Sequence, residues 1–448
     1  MNGRAWIGLI LTLLATSADA ADLKAGAAAK TLEAKDEMVV GGGIGPGRLK
    51  GQEGELRASA VVAEGPDGGK VCLVACDVLM IERDILDVAA RKISDKTGIP
   101  FGHILINATH THHAPTTVTI HGYERDEAFT RHVGEKIVEA AIEANTRLTP
   151  VAMKFRLGEE SSVGRNSRLL LSDGTIYWIG KHDDAVRPTG PFDPELPVVA
   201  FARPGGKLEA VLFNHSTHTI GTVKGLVRSP SFYGLAAQEL ERERGGLFLF
   251  FEGASGSTHN LDLATPEALI RIKSAVADAL DHAGERPVSR VVGRRKEITL
   301  KVRRFDEAAD DAAVVAYCTK RQPPPYHQTT IDIFRKMRKT LAPHQGEERK
   351  TWVQAIVLGD VAFVGVPGEF FTHLGQEIKR RSPYRYTYVF ELANDYVGYI
   401  PDARAFDKGG YQVWTGLHSF LEKGAGETIV DSAVDLLGQL HDAAPTGR

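Results

Sequence analysis

Three histidines that follow one apolar segment are the residues most suited to chemistry in this sequence. Residues 103–107 form an apolar run that leads into His110, His112 and His113. In an extended chain, side chains two residues apart lie on one side, so the imidazoles of His110 and His112 should point together. Two neutral imidazoles can bind a divalent metal, or one can bind it while the other transfers a proton. One histidine would suggest only a polar loop, but three in four residues favour a functional site.

The same pattern occurs a second time. The apolar run at residues 208–214 ends in His215 and His218, and the next run, 246–251, leads into Glu252 and a segment that contains His259. Ligands of open α/β sheets bind at the carboxyl ends of the strands. The repetition therefore predicts a metal site at strand ends.

The elements that must position these residues alternate between strands and helices. A strand at 70–78, a helix from Ile81 and a strand at 103–107 form a right-handed unit whose two strands are parallel. Asp77, at the end of the first strand, is interpreted as a helix N-cap, with support of a ligand or binding of a second metal ion as alternatives. The glycine-rich stretch 38–47 lacks a Walker lysine and predicts a tight turn near the site.

The rest of the chain extends this pattern. Helical periodicity marks residues 124–148, 233–244, 308–317, 331–340, 371–380 and 425–441, and strands are predicted at 294–302, 354–366 and 386–392. The pattern predicts an α/β protein with central mixed β-sheets flanked by helices and a metal site at the carboxyl ends of strands.

The N-terminus is typical of an exported protein. Arg4, an apolar stretch at 7–15 and the small residues ending at Ala20 predict a signal peptide at 1–20 that is removed after Ala20, with an uncleaved membrane tether as the alternative. The alanine- and lysine-rich residues 21–35 are predicted to be a linker, and 36–448 a single catalytic domain. Export would place the protein in the periplasm or outside the cell.

Composition narrows the partners. The chain has 448 residues, 43% of them hydrophobic, and a net charge of −3. This balance gives no general attraction to nucleic acid or to anionic membranes. The three cysteines are Cys72, Cys76 and Cys318, and their odd number argues against a disulfide framework. Cys72 and Cys76 lie on the same face of one predicted strand, where they do not easily meet disulfide geometry, so we expect buried thiols.

The histidine segments and two later motifs resemble the N-terminal catalytic domain of neutral/alkaline non-lysosomal ceramidases. The resemblance covers most of the chain in motif order, although each motif is short. It is carried by His110-Thr-His112, His215, the loop at 229–234, Pro367-Gly-Glu369, Asn394-Asp-Tyr-Val-Gly-Tyr399 and Tyr411.

This resemblance implies a set of site residues. One zinc ion would be held by His110, His215, Glu369 and Tyr399, which offer ligand types that suit Zn²⁺. The residues near the scissile carbonyl would be His112, Arg165 and Tyr411. His112 would transfer a proton or bind the oxyanion, and Arg165 and Tyr411 would be oxyanion donors.

Three departures from the ceramidase pattern bear on the substrate. Ceramidases carry an active-site serine in a loop that aligns with residues 256–260, and His259 falls where that serine would be. Ser231 stands where the family has an acidic residue. We also expect the chain to lack the C-terminal immunoglobulin-like domain of full ceramidases.

Together these features predict a secreted or periplasmic zinc amidohydrolase of ceramidase-like type. Its partner would be a small-molecule or lipid-like amide, such as an N-acyl sphingoid, which leaves peripheral membrane contact open. The first alternative is a zinc hydrolase of the same fold that acts on a different amide or ester. The second is a secreted binding protein with a vestigial metal site.

Overall fold

The computed structural model of this chain describes residues 23–443. The predicted signal peptide lies outside the described residues. Within 23–443, no helix has the length and apolar character needed to cross a membrane.

The described residues alternate between strands and helices, as the sequence predicts. The strands are β1 (Lys24–Thr31), β2 (Arg57–Glu64), β3 (Lys70–Cys76), β4 (Ile104–Ala108), β5 (Thr149–Pro150), β6 (Ala152–Glu159), β7 (Arg165–Asn166), β8 (Leu169–Leu171), β9 (Ala185–Pro188), β10 (Glu195–Ala202), β11 (Leu208–His215), β12 (Leu247–Glu252), β13 (Thr258–His259), β14 (Gly284–Arg286), β15 (Val291–Lys301), β16 (Glu348–Leu358), β17 (Val361–Gly365), β18 (Glu369–Phe370), β19 (Tyr386–Phe390) and β20 (Tyr399–Ile400). The helices are α1 (Arg83–Thr97), α2 (Glu127–Thr146), α3 (Ser231–Arg244), α4 (Thr265–Asp281), α5 (Glu307–Arg321), α6 (His327–Leu341), α7 (Thr372–Arg381), α8 (Ala403–Lys408) and α9 (Ala425–Asp442).

Three larger sheets organise these elements, and each contains one parallel pair of strands. The first sheet has the order β4-β3-β2-β1-β5, the second β12-β11-β10-β6-β14, and the third β15-β16-β17-β19. The parallel pairs are β3–β4, β11–β12 and β17–β19, and a helix connects the two strands of each pair. The prediction of mixed sheets flanked by helices is therefore confirmed, as is the parallel pairing of the first strand–helix–strand unit.

The core has a layered arrangement. Apolar side chains from one face of each larger sheet meet in a single central cluster, which includes Val61, Leu212 and Phe363. The helices α1 and α2 pack on the other face of the first sheet, and α3 and α4 pack on the other face of the second. Since alternate residues of a strand face opposite sides, each central strand is apolar on both faces. This explains the uninterrupted apolar runs in the sequence.

The predicted linker at 21–35 is wrong. Its residues Lys24–Thr31 form β1, which pairs antiparallel with β2 over its whole length and lies inside the first sheet. At Gly26, α2 approaches the strand so closely that a larger side chain would not fit beneath the helix. The folded domain thus begins before residue 36.

Gly26 marks this close approach. A Cβ atom at Gly26 would collide with the main chain of α2 and its C-terminal turn, including the Ala144 carbonyl oxygen. We expect Gly26→Ala to lower the free energy of unfolding by about 1–3 kcal/mol, the usual effect of overpacking. Gly438→Ala is the matched control, because nothing lies within 4 Å of a Cβ at this position in α9. The control should be neutral or stabilising. Equal melting temperatures for the two variants would contradict the close packing of β1 under α2.

Candidate active site at the strand ends

Segments that follow one strand from each larger sheet meet at one buried place. His110 follows β4, His218 follows β11, and Glu369 follows β17 as the first residue of the short strand β18. These three residues are 1–2% exposed. The site is therefore assembled from distant parts of the chain by the packing of the sheets.

The three imidazoles of this site share one hydrogen-bonding pattern. The Nδ1 atoms of His110, His112 and His218 lie 3.0, 3.2 and 2.9 Å from the carbonyl oxygens of Leu79, Gly42 and Ser255, respectively. Because a carbonyl oxygen only accepts, each Nδ1 carries the hydrogen and each Nε2 keeps its lone pair. One ring nitrogen from each histidine lies within 4.8 Å of the others. Hydrogen bonds of this kind orient histidine ligands in metalloproteins, so His110, His112 and His218 form a group that could hold a metal ion.

Two oxygen donors complete the cluster. The Oε2 atom of Glu369 lies 3.2 Å from His218 Nε2 and 3.6 Å from His110 Nε2, and the hydroxyl of Tyr399 lies 3.1 Å from His218 Nε2. The parallel pairing of β18 with β20 sets Glu369 beside Tyr399. The hydroxyl of Tyr396 lies 3.4 Å from the other carboxylate oxygen of Glu369. We call His110, His112, His218, Glu369 and Tyr399 the strand-end cluster.

Burial keeps the histidines of this cluster neutral and the phenol of Tyr399 protonated. Removal from water lowers the pKa of His110 and of His218 to about 4, and it raises the pKa of Tyr399 well above its usual value. The histidines are therefore neutral near pH 7, and their Nε2 lone pairs face a carboxylate that also offers only lone pairs. The hydroxyl hydrogen of Tyr399 can satisfy only one of these lone pairs, and a bound cation would relieve the remaining repulsion.

The separations in the cluster fit a small divalent metal. Ligand atoms about 2.0–2.1 Å from a tetrahedral zinc ion lie about 3.3–3.4 Å from one another. The separations among His110 Nε2, His218 Nε2, Glu369 Oε2 and the Tyr399 hydroxyl that were given above span 3.1–3.6 Å. Both the kinds of donor and their spacing are thus compatible with Zn²⁺.

The backbone at His110 is itself unusual. Its φ angle is +61°, in the left-handed region that non-glycine residues seldom adopt. Such conformations cost about 1–3 kcal/mol and persist where the surrounding structure enforces them, often at functional sites. Here the imidazole is fixed by the carbonyl of Leu79, and the hydroxyl of the preceding Thr109 bonds Asp77.

Two further buried glutamates hold the loops of the site. Glu391 accepts hydrogen bonds from the Ser255 amide and hydroxyl and from the Phe370 amide. Ser255 contacts His218 through its carbonyl oxygen, and Phe370 follows Glu369 in the chain. Glu252, at the end of β12, accepts the Thr219 hydroxyl at 2.7 Å. Burial raises the pKa of both carboxyl groups well above the usual value. Glu391 thus fixes Ser255, whose carbonyl orients His218, and Glu252 holds Thr219, the residue that follows His218.

The arrangement of sheets and helices in this chain matches a known architecture. The neutral ceramidase from Pseudomonas aeruginosa superposes with a TM-score of 0.73 over 95% of this chain and 75% of its own, at 17% sequence identity. A ceramidase complexed with C2 superposes with a TM-score of 0.73 over 95% of this chain and 76% of its own, at 16% identity. The chain has the neutral ceramidase fold. At such low identity the likeness establishes the fold, and no family model or curated protein sequence matches the chain.

Within the neutral ceramidase fold, the second histidine ligand predicted from the sequence is wrong. His215 points away from the strand-end cluster: its Nδ1 lies 2.5 Å from the Tyr233 hydroxyl and its Nε2 lies 2.9 Å from the Glu160 carbonyl oxygen. His215 is the last residue of β11, where the alternation of the strand directs its ring toward α3. His218, three residues later, enters the cluster after the chain has left the strand.

Arg165 lies at the surface beside the loop of His259. Its Nε forms an ion pair with Asp262 Oδ2 at 3.1 Å, and its side chain is 42% exposed. The short strands β7 and β13 pair Arg165 with His259. Arg168, the other arginine of this segment, is buried and bonded to neutral groups, among them the side chain of Gln412. The sequence alone does not distinguish these two environments.

His259 and Tyr411 lie against the cluster. The His259 ring stacks on His218 with centroids 3.9 Å apart, and burial lowers its pKa well below the usual value. The Tyr411 ring lies 5.6 Å from that of Tyr399, and its hydroxyl is 3.0 Å from His121 Nε2. The sequence does not identify His121, because it stands next to neither a predicted strand end nor a histidine motif. Tyr396 lies in the motif 394–399, but the resemblance assigns a role there only to Tyr399.

Proposed function

We propose that this chain is a zinc-dependent amidohydrolase of ceramidase-like type, which cleaves the amide bond of an N-acyl substrate. The single observation that carries the proposal is the convergence of histidine nitrogens, a carboxylate and a phenol in a buried strand-end cluster of the neutral ceramidase fold. His110, His218, Glu369 and Tyr399 would hold the ion. His112 is left as the proton carrier, because it contacts only His110 among these residues and is partly exposed.

The roles of the residues follow from their protonation. When bound, zinc would act as a Lewis acid toward the acyl carbonyl and lower the pKa of a nearby water. His112 keeps a free Nε2 because its Nδ1 hydrogen is given to Gly42. Burial and the neighbouring His110 lower its pKa, so a proton taken up at Nε2 would pass readily to the leaving amine. Tyr411 would donate its hydroxyl hydrogen to the developing oxyanion.

An acyl substrate other than ceramide is the second candidate. It is supported by His259, which stacks on His218 where the resemblance to ceramidases leads us to expect a serine. An imidazole is larger than a hydroxymethyl group and would change the shape of the space beside the acyl carbonyl. The substrate class is therefore proposed as N-acyl amides, with an amide other than ceramide or an ester as the alternative.

We expect the mature chain to hydrolyse at least one member of a panel of N-acyl amides and esters, and to lose this activity on treatment with a zinc chelator. Activity should return when zinc is added, because the ligands remain in place once the ion is removed. The panel should pair each amide with the ester of the same acyl group. If the protein still released the carboxylic acid at the same rate after removal of the metal, this result would contradict the proposal. A chain that binds zinc but hydrolyses nothing would support a binding protein.

A further inference from the structure

A basic cavity lies outside the strand-end cluster. It has a volume of about 280 Å³ and is bounded by the segments around β7, β9, α7 and α8. No residue of the strand-end cluster lines it. Five basic side chains line it: Arg168, Arg187, His373, Arg404 and Lys408.

The cations at the rim have no acidic partners. Within residues 23–443, no ion pair joins Arg187, Arg404 or Lys408 to a carboxylate, and the side chain of Arg187 bonds only the neighbouring Pro188 carbonyl. The one acidic residue of the lining, Asp402, uses its Oδ1 to accept the amides of Arg404 and Ala405. Positive charge is therefore in excess around the cavity.

The floor of the cavity adds a buried cation. Arg168 is 1% exposed, and its guanidinium donates to the side chain of Gln412 and to the carbonyl oxygens of Ala405 and Gly409, at 2.6–3.3 Å. All of these acceptors are neutral, and in the described chain no carboxylate pairs with Arg168. Burial lowers its pKa to about 10, and the charge of Asp402, which forms no ion pair with Arg168, offsets this effect only in part. An anion in the cavity would supply the direct counter-charge that Arg168 lacks.

We propose that this cavity is a binding site for a phosphate group. Arginine forks match the oxygen geometry of phosphate and bind it with paired, charge-assisted hydrogen bonds, and lysine adds a point charge. The volume exceeds that of one phosphate ion, so the site would also admit a phosphate ester. The ligand is thus a free phosphate compound or the headgroup of a phospholipid. This inference concerns binding and does not depend on the proposed hydrolysis.

Calorimetric titration with inorganic phosphate at constant ionic strength tests the site. The test variant is Arg187→Gln/Arg404→Gln. The matched control is Arg156→Gln/Arg242→Gln, which removes the same charge from two exposed arginines outside the cavity. We expect saturable binding by the wild type and the control, and a dissociation constant at least about tenfold higher for the cavity variant, as for loss of charge-assisted contacts. Absence of saturable binding by the wild type, or equal weakening in both double variants, would overturn the proposal.

Vesicles distinguish the two sources of phosphate. Co-sedimentation with phosphatidylcholine vesicles that contain phosphatidic acid, with pure phosphatidylcholine as reference, should be lost in the cavity variant and reversed by inorganic phosphate if a headgroup is the ligand. Phosphate binding in the titration without such sedimentation would assign the site to a soluble phosphate compound. Sedimentation that is the same in the cavity variant would show that vesicles bind elsewhere, and would exclude the headgroup as the ligand of this cavity.

Discussion

Replacement of His218 by alanine is expected to reduce the zinc content of the purified protein from about one ion per chain to a small fraction of that value. His218 is the residue whose Nε2 lies within 3.2 Å of both Glu369 and Tyr399, so its removal opens the centre of the strand-end cluster. Loss of a residue that hydrogen-bonds a metal ligand lowers metal affinity by about 10–100-fold, so loss of a ligand itself should lower it further. Zinc analysis of the desalted protein measures the effect, and hydrolysis should disappear with the metal.

His215→Ala is the matched control for this prediction. His215 is equally buried, but its two ring nitrogens contact Tyr233 and the Glu160 carbonyl. Its removal leaves buried polar groups without partners and should lower stability by about 1–3 kcal/mol while the folded protein keeps its zinc. If His215→Ala lost the metal and His218→Ala kept it, the ligand set proposed above would have to be abandoned.

The second large effect is expected at His112. In His112→Ala, turnover should fall by about 10²–10⁴-fold, the usual contribution of a general acid–base group. The metal should remain, because His112 contacts only His110 within the strand-end cluster, at 3.3 Å. Zinc content and turnover must be measured on the same preparation so that the two effects are separated.

His113→Ala provides the comparison, since it removes the same side chain one position later. The His113 Nε2 accepts the Gly221 amide at 2.9 Å and takes no part in the cluster. We expect near-normal turnover from this variant if it folds. Joint loss of zinc and turnover in His112→Ala would instead make His112 a metal ligand. Wild-type turnover by zinc-loaded His112→Ala would show that His112 has no catalytic role.

Much of the fold could be predicted because the buried strands are apolar on both faces. The runs that became β3, β4, β11 and β12 stand out in the sequence, and each ends where polar residues begin. The helices between them carry regular apolar spacing, and α1 ends at Thr97, followed by the capping residue Gly98 with a φ of +74°. Local patterns were sufficient for these elements because each is buried by its immediate neighbours in the chain.

The missed elements depend on distant contacts. β1 has the composition of a linker, and its strand conformation comes from pairing with β2 and from the helix that covers it. The resemblance to ceramidases led to His215 as the second histidine ligand, and the sequence could not point to His218 instead for a related reason. Both follow the same strand, and the direction of each ring depends on where the chain leaves the sheet, which Ser216 and Thr217 do not reveal.

The separation of the ligands along the chain has a consequence for folding. His218 and Glu369 are 151 residues apart, and His218 and Tyr399 are 181 residues apart. A metal that joins them would act as a reversible cross-link between the second and third sheets, and it would close loops long enough to restrict the unfolded chain strongly. Such a cross-link cannot form until both sheets have docked, so metal uptake would come late in folding and would report the completed native topology.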